Sequence, residues 1–391
     1  MKFAHLADCH VGAWREPKMR DLTIEAFQRA ITTCIREEVD FIIIAGDLFH
    51  TAISSIDSVK AVFRALRGLK DANIPVYFIT GSHDYSPTGR TMLDLVEEAA
   101  LGKNLFRGTV ENGVLQLAWT TDEKTGAKLT GILGRANQLD SEIYESLDRD
   151  ALSREPGVKI FVFHTSLEEL TPNASVIDTS PLSLLPDGCS YYAGGHVHTR
   201  AEERIGGKHI VYPGPVFPAS FSELEDLVHG SFVIVENWTI RRITIAPRPV
   251  ASATIIAEGL TPLQVQEKAL DGLRSVDNAI VLLRVRGMLA GKPSDVQWRT
   301  ISDELLARGA YAVLRNTVQL TSPQLDKALI ATGTLDHIEA EVLAEHKLDP
   351  VYARQLMDAL ASEQQDGEKR QGYEERVSQA ALSLLAERKT A

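Results

Sequence analysis

Five short apolar runs of this chain each lead into histidine or aspartate, and that placement restricts the fold more than any other feature. Residues 2–7 lead into Asp8, Cys9 and His10, residues 40–45 into Asp47 and His50, and residues 75–79 into His83 and Asp84. Residues 158–163 lead into His164, and residues 190–195 into His196 and His198. Ligands bind open α/β sheets outside the carboxyl ends of the strands, so these side chains are expected along one edge. Residues 12–20 read as a loop. Beyond it, Leu22, Ala26, Phe27, Ala30, Ile31, Cys34 and Ile35 fall at helical spacing, as do Ile56, Val59, Val62, Phe63, Leu66 and Leu69. Strand, helix, strand, helix, strand predicts a parallel βαβ sheet covered on both faces.

The remaining chain is patterned less sharply. Residues 91–101 have a helical pattern, and 110–135 read as antiparallel strands turning at Asn112-Gly113 and around Gly126. Strands at 209–212 and 231–235 complete a core that closes near residue 240, and Pro247-Arg248-Pro249 marks a junction. Residues 252–320 alternate two apolar strands with two helical stretches, and 333–391 are rich in helix formers, with breaks near Asp349-Pro350 and Asp366-Gly367. The expected division is therefore 1–240, 250–325 and 333–391, which suits a chain of 391 residues, too long for one small core.

Composition narrows the class. A net charge of −12 argues against a generally basic nucleic-acid binder, because Lys and Arg supply phosphate affinity. Bound divalent cations can supply positive charge instead, and Arg15, Lys18, Arg20 and Arg90, on loops near the expected edge, are candidate phosphate contacts. No apolar run approaches the length of a membrane helix, and the opening MKFAHLADCH reads as a charged strand rather than a secretory leader. Cys9, Cys34 and Cys189 are too scattered for a disulfide framework or a zinc knuckle. The expected location is the cytoplasm, with the nucleoid in a prokaryote.

Imidazole and carboxylate suit Mn, Fe or Zn. Asp47 follows a central strand and is the candidate to bridge two ions. Two ions roughly 3.5–4 Å apart polarise a phosphoryl group and acidify a water molecule. A single D-x-H or H-x-H pair is a weak signal; the whole set in its strand context predicts a metal centre.

These residues carry a resemblance. Asp8-Cys9-His10, Gly46-Asp47, Gly81-Ser82-His83-Asp84, His164 and Gly195-His196-Val197-His198 resemble the calcineurin-like metallophosphoesterase signature of D-x-H, G-D, G-N-H-[DE], H and G-H-x-H. Within that superfamily, Asp47-Leu48-Phe49-His50 and the opening AHLADCHVGA are similar to the DNA double-strand-break repair nucleases: the SbcD type of bacteria and the meiotic-recombination-eleven family. Protein phosphatases carry GDxxDRG, where this chain has His50 and Thr51.

The resemblance implies a four-layer α/β core, two packed mixed β-sheets flanked by helices, followed by a small α/β DNA-capping domain and a C-terminal helical tail. It implies that Asp8, His10, Asp47 and His198 hold one Mn²⁺ and Asp47, Ser82, His164 and His196 another. His83 would stabilise the transition state or protonate the leaving oxygen, and His50 would help place the nucleotide for exonuclease action. Ser82 departs from the pattern, which has Asn. A hydroxyl on a shorter side chain is a poorer ligand than an amide carbonyl, so the second metal is expected to be weakened unless a neighbour such as Asp84 compensates. The implied activity is Mn²⁺-dependent exonuclease and single-strand endonuclease action on DNA ends, in a homodimer complexed with an SMC-like ABC ATPase. Leu343, Leu356 and Leu360 on tail helices are the candidate docking residues for that ATPase. The alternatives are a cyclic-nucleotide or dinucleotide phosphodiesterase, and a weakly active scaffold that binds DNA ends.

Overall fold

The computed structural model describes residues 1–86, 91–134, 143–170, 179–322, 349–362 and 370–387. Arg90, Leu343 and the expected break at Asp366-Gly367 lie outside the described residues.

The apolar runs become strands buried on both faces. Lys2–Leu6, Phe41–Ala45, Val76–Ile79 and Lys103–Asn104 pair in parallel, as the βαβ pattern predicts. Gly230–Glu236 and then Thr239–Ile245 add antiparallel at the other side of Lys2–Leu6, giving a mixed six-stranded sheet. A second mixed sheet of six has Lys128–Gly131, Lys159–His164, Tyr191–Gly195 and Lys208–Pro213 in parallel at its centre.

Successive side chains of a strand face opposite ways, and each run therefore serves two cores. Phe3, Phe41, Ile43, Tyr77 and Ile79 of the first sheet meet Leu129, Ile160, Val162, Tyr191 and Ala193 of the second in an apolar layer between them. Ala4, Leu6, Ile42, Ile44 and Phe78 face the helices Pro17–Arg36 and Ile56–Asp71. On the far side of the second sheet, Phe161, Phe163, Tyr192 and Tyr212 are covered by short segments around Tyr144, Leu152 and Leu182. Burying each large apolar side chain contributes roughly 1.5–3 kcal/mol.

Two local expectations change. The first helix begins at Pro17, inside the expected loop 12–20, because proline needs no N–H partner at a first helical position and its φ is already helical. The strand Arg200–Ile205, which the apolar pattern does not predict, pairs antiparallel with Lys208–Pro213 across Gly206-Gly207. Its sequence RAEERI is mostly charged and its residues are largely exposed, so no apolar alternation marks it as a strand.

By its contacts the chain forms two units. The first comprises 1–256, 263–286 and 297–319, and so includes, beyond the two large sheets, parallel pairing of Val250–Ile256 and Ala312–Asn316 on either side of Ile280–Met288. The second comprises 257–262, 287–296 and 320–391, with the helices Pro350–Leu360 and Arg370–Glu387. Asp349 accepts the Tyr352 N–H at 3.2 Å, which starts the former helix where Asp349-Pro350 marks the break. Among the described residues no helix is long and apolar enough to cross a membrane.

His5 lies in the layer between the sheets, fully buried, with Nδ1 3.0 Å from the Tyr191 hydroxyl. Burial, helped by Arg242, lowers its pKa from 6.5 to about 3. Between those values the unfolded chain binds a proton that the folded chain refuses, so stability is lost as pH falls through this window. Replacing His5 by Gln is expected to flatten the acid limb of stability between pH 6.5 and 3, read as the urea midpoint against pH.

Candidate metal centre

Strand ends create this site. Asp8 and His10 follow Lys2–Leu6, Asp47 follows Phe41–Ala45, His164 closes Lys159–His164, and His196 and His198 follow Tyr191–Gly195. At these exits Asp8, His10, Asp47, His196 and His198 all take positive φ. L-residues avoid that region at a cost of order 1–3 kcal/mol each, and its concentration here marks a functional site. The exits are held by backbone bonds: Asp8 N–H to Gly46 O at 3.2 Å, His10 N–H to Asp47 O at 3.0 Å, and Val11 N–H to Leu48 O at 3.0 Å.

The side chains converge. Ligand atoms of Asp8, His10, Asp47 and His198 all lie within 4.8 Å of one another. His10 Nε2 is 2.8 Å from His198 Nε2 and 3.6 Å from Asp47 Oδ2. His164 donates Nδ1–H to the Ala45 carbonyl at 2.8 Å, which leaves Nε2 unprotonated in the neutral ring and 3.2 Å from Asp47 Oδ2. His196 lies beside His164, ring centroids 5.1 Å apart, and its backbone N–H is held by Asp8 Oδ1 at 2.9 Å. Ser82 joins this side, its hydroxyl donating to Asp47 Oδ2 at 3.4 Å. Gly46 and Gly81 leave the necessary room: a Cβ at Gly46 would overlap the His164 imidazole, and one at Gly81 the Asp47 carboxylate.

A divalent ion fits this donor set. In the neutral ring the buried His164 Nε2 lone pair faces the Asp47 carboxylate at 3.2 Å, a pairing of two acceptors that costs free energy unless a cation or a proton lies between them. Electrostatics agree. Burial disfavours the Asp47 carboxylate, but His164 and His10 outweigh it and hold the group well below the usual range. Burial likewise opposes protonation of His164, yet Asp47 raises its pKa to about 10. Burial opposes protonation of His198 too, and Asp8 and Glu223 raise it to about 9. Protons on these rings balance the aspartates, and metal uptake displaces them. His196, shifted mainly by burial, is lowered to about 4 and is neutral at pH 7.

His83 is exposed beside the cluster and donates Nδ1–H to the His50 carbonyl at 2.8 Å. The His50 ring stacks on it, centroids 5.1 Å apart at 27°, and the His10 ring meets it edge-on at 4.7 Å. Two of the expected basic contacts also bond within the chain. Arg15 is exposed, but Arg20 turns back to the Trp14 and Arg15 carbonyls, both at 3.3 Å, and Lys18 donates to the Tyr311 carbonyl at 3.0 Å. In the second unit, Leu356 is half-buried and Leu360 exposed on the helix Pro350–Leu360.

Two acids have roles that residue type alone does not reveal. Asp84 does not back up Ser82. Its carboxylate accepts the N–H groups of Leu48, Phe49 and Gly81 at 3.1, 2.9 and 3.2 Å, tying the Asp47 loop to the His83 loop. Glu223 lies on the short helix Phe221–Leu227, with Oε2 3.0 Å from His198 Nδ1. The S-x-x-E of Ser220–Glu223, a helix-start signature, was the available signal.

The family model for calcineurin-like phosphoesterases matches residues 1–200. Among curated proteins, the chain is 26% identical over 343 residues to the DNA double-strand break repair protein Mre11 of Archaeoglobus fulgidus, covering 81% of this chain and 74% of that one. It is 27% identical over 233 residues to the protein of the same name from Methanococcus maripaludis, covering 58% of this chain and 60% of that one. It is also 25% identical to the uncharacterized metallophosphoesterase YhaO of Bacillus subtilis, covering 59% and 57%.

Gly81→Ala should drive its new methyl into Asp47 and separate the ligands. In wild type, thermal melting is expected to rise on adding MnCl₂, because an ion that binds only the folded chain stabilises it. That rise should disappear in Gly81→Ala.

Proposed function

The chain belongs to the calcineurin-like phosphoesterase family, and from that premise we propose that it is a Mn²⁺-dependent DNA nuclease acting at double-strand-break ends. The observation that carries the reading is the convergence of Asp8, His10, Asp47 and His198, whose ligand atoms all lie within 4.8 Å of one another. Likeness to proteins named for DNA double-strand break repair, extending over 343 residues and well past the metal ligands, favours DNA over a cyclic nucleotide.

In this reading Asp8, His10, Asp47 and His198 would hold one metal, and Asp47, Ser82, His164 and His196 the other. Bound metals supply Lewis-acid polarisation of the phosphate and acidify the attacking water. The chain's residues do the rest. Asp47 spans both subsites, and Asp84 keeps its loop in register with the loop of His83. His83 protonates the leaving oxygen. Its Nδ1–H is taken by the His50 carbonyl, so Nε2 is the atom of the imidazolium that gives up its proton. His50, stacked on it, holds the ring and, by the same resemblance, would help place the terminal nucleotide.

The segments after the core take supporting roles in the same proposal: 250–325 caps the DNA, and 333–391 docks an SMC-like ABC ATPase through apolar positions such as Leu356 and Leu360. A homodimer completes the assembly. A second reading, a scaffold that binds DNA ends with little turnover, draws on one observation. The Ser82 hydroxyl faces Asp47 and offers no carbonyl oxygen to the second metal.

Cleavage of an end-labelled DNA duplex by the full chain in MnCl₂, MgCl₂ or EDTA, run beside a cyclic-nucleotide assay, tests the reading. The expected result is Mn²⁺-dependent DNA cleavage only. Turnover of the cyclic nucleotide alone would move the protein to a small-molecule phosphodiesterase, and DNA binding without cleavage would leave the scaffold. His83→Ala is expected to lower turnover by about 10²–10⁴-fold while DNA affinity stays near wild type. Ser82→Asn should tighten the weaker Mn²⁺ site in a calorimetric titration; unchanged affinity would show that Ser82 does not limit it.

A further inference from the structure

We propose that Glu223 is a positioning residue that fixes the ring of His198, so that a short helix far along the chain sets the direction of a metal ligand. The inference rests on the proposed metal centre.

His198 presents two nitrogens to two different environments. Nε2 faces the cluster, 2.8 Å from His10 Nε2 and 3.8 Å from Asp8 Oδ1. Nδ1 faces away, 3.0 Å from Glu223 Oε2. A carboxylate can only accept, so Nδ1 keeps a proton, and once a metal displaces the other proton the Nε2 lone pair is directed to the cluster. Carboxylates in this position fix the tautomer and ring orientation of a ligand histidine and raise its basicity.

The Glu223 carboxylate is itself held rigidly. Oε2 accepts the Ala219 N–H at 2.9 Å, and Oε1 accepts the Ser220 hydroxyl at 2.9 Å. Ser220 Oγ accepts the Glu223 N–H at 3.2 Å and starts the helix. Three donors, counting His198, therefore converge on one partly buried carboxylate. Burial works against its charge, but His198 and these donors outweigh that and lower its pKa to about 2.

The helix is anchored at both ends. Trp14 donates Nε1–H to the Pro218 carbonyl at 3.0 Å just before it. Glu225, in the middle of the helix, receives Arg284 Nη2 at 2.6 Å, and the same guanidinium lies 5.2 Å from the Phe221 ring centroid. At the other end Arg200 donates to the Leu227 carbonyl at 3.2 Å.

A rival explanation is that Glu223 merely caps the helix. Glutamine serves equally well at that position of a capping box, and this separates the two roles. MnCl₂ titrated calorimetrically into the metal-free full chain gives the readout. Glu223→Gln is expected to weaken Mn²⁺ binding by about 10-fold or more, within the range of about 10–100-fold for lost outer partners of metal ligands. Asp226→Asn, which removes an exposed charge from the same helix, should leave the affinity unchanged. If Asp226→Asn weakened binding as much as Glu223→Gln, general charge loss would explain both and the proposal would fall. Should Glu223→Gln fail to fold, Glu223→Asp, which keeps the charge but withdraws it by one methylene, decides with the same expected sign. Wild-type affinity in the folded variant would overturn the positioning role alone, while a wild type that binds no Mn²⁺ would overturn the metal centre on which it rests.

Discussion

The hydrogen bond from His164 Nδ1 to the Ala45 carbonyl, 2.8 Å long, is the constraint on which this site depends. It joins the carboxyl end of a strand in one sheet to the carboxyl end of a strand in the other. It also fixes the His164 tautomer, which leaves Nε2 to face Asp47. The two sheets must approach closely for it to form, and the residues around it are small for that reason. A Cβ on Gly46, Gly134 or Gly195 would strike the His164 ring. The apolar layer of Phe41, Ile43, Ile160, Val162 and Tyr191 holds the sheets at this separation, so the energy of an ordinary core is what keeps polar ligands in contact.

That core also sustains unfavourable backbone. Asp8, His10, Asp47, His196 and His198 occupy the left-handed region, where each non-glycine residue costs of order 1–3 kcal/mol. Such a cost persists only where surrounding structure dictates the conformation. Here the strands leading into Asp47 and His196 are fully buried, and the loop N–H groups are taken by neighbouring carbonyls or by Asp84. Asp84 matters because it turns two separate loops into one rigid edge. In the proposed metal centre the candidate ligands are thus set by the scaffold before any ion arrives, which would reduce the reorganisation that binding requires.

The same distinction separates what was legible in the sequence from what was not. Strand ends were legible because FIIIA and KIFVFH are largely apolar runs that lead directly into ligand-type residues. The alternation within them, one face to the helices and one to the second sheet, follows from the period of a strand. Arg200–Ile205 was not legible, since an exposed edge strand has no apolar face to announce it. Lys18 and Arg20 could be recognised as basic, but their partners could not: Lys18 meets Tyr311, 293 residues later. Asp84 and Glu223 act through partners supplied by other segments, so their residue types alone say nothing of which atom they orient. Glu223 came closest to visibility through Ser220 and the helix-start spacing, yet that signal predicts a cap and not a bond to a histidine in a distant loop.

Charge gives the final link between this architecture and a polyanionic substrate. The chain carries −12 overall, and the described edge of the site presents Asp8, Asp47 and Glu223, while Lys18 and Arg20 are engaged with carbonyls of the chain itself. Divalent ions held at the proposed centre would add positive charge to this edge. In the proposed nuclease, metal occupancy therefore governs attraction of the substrate as well as its cleavage.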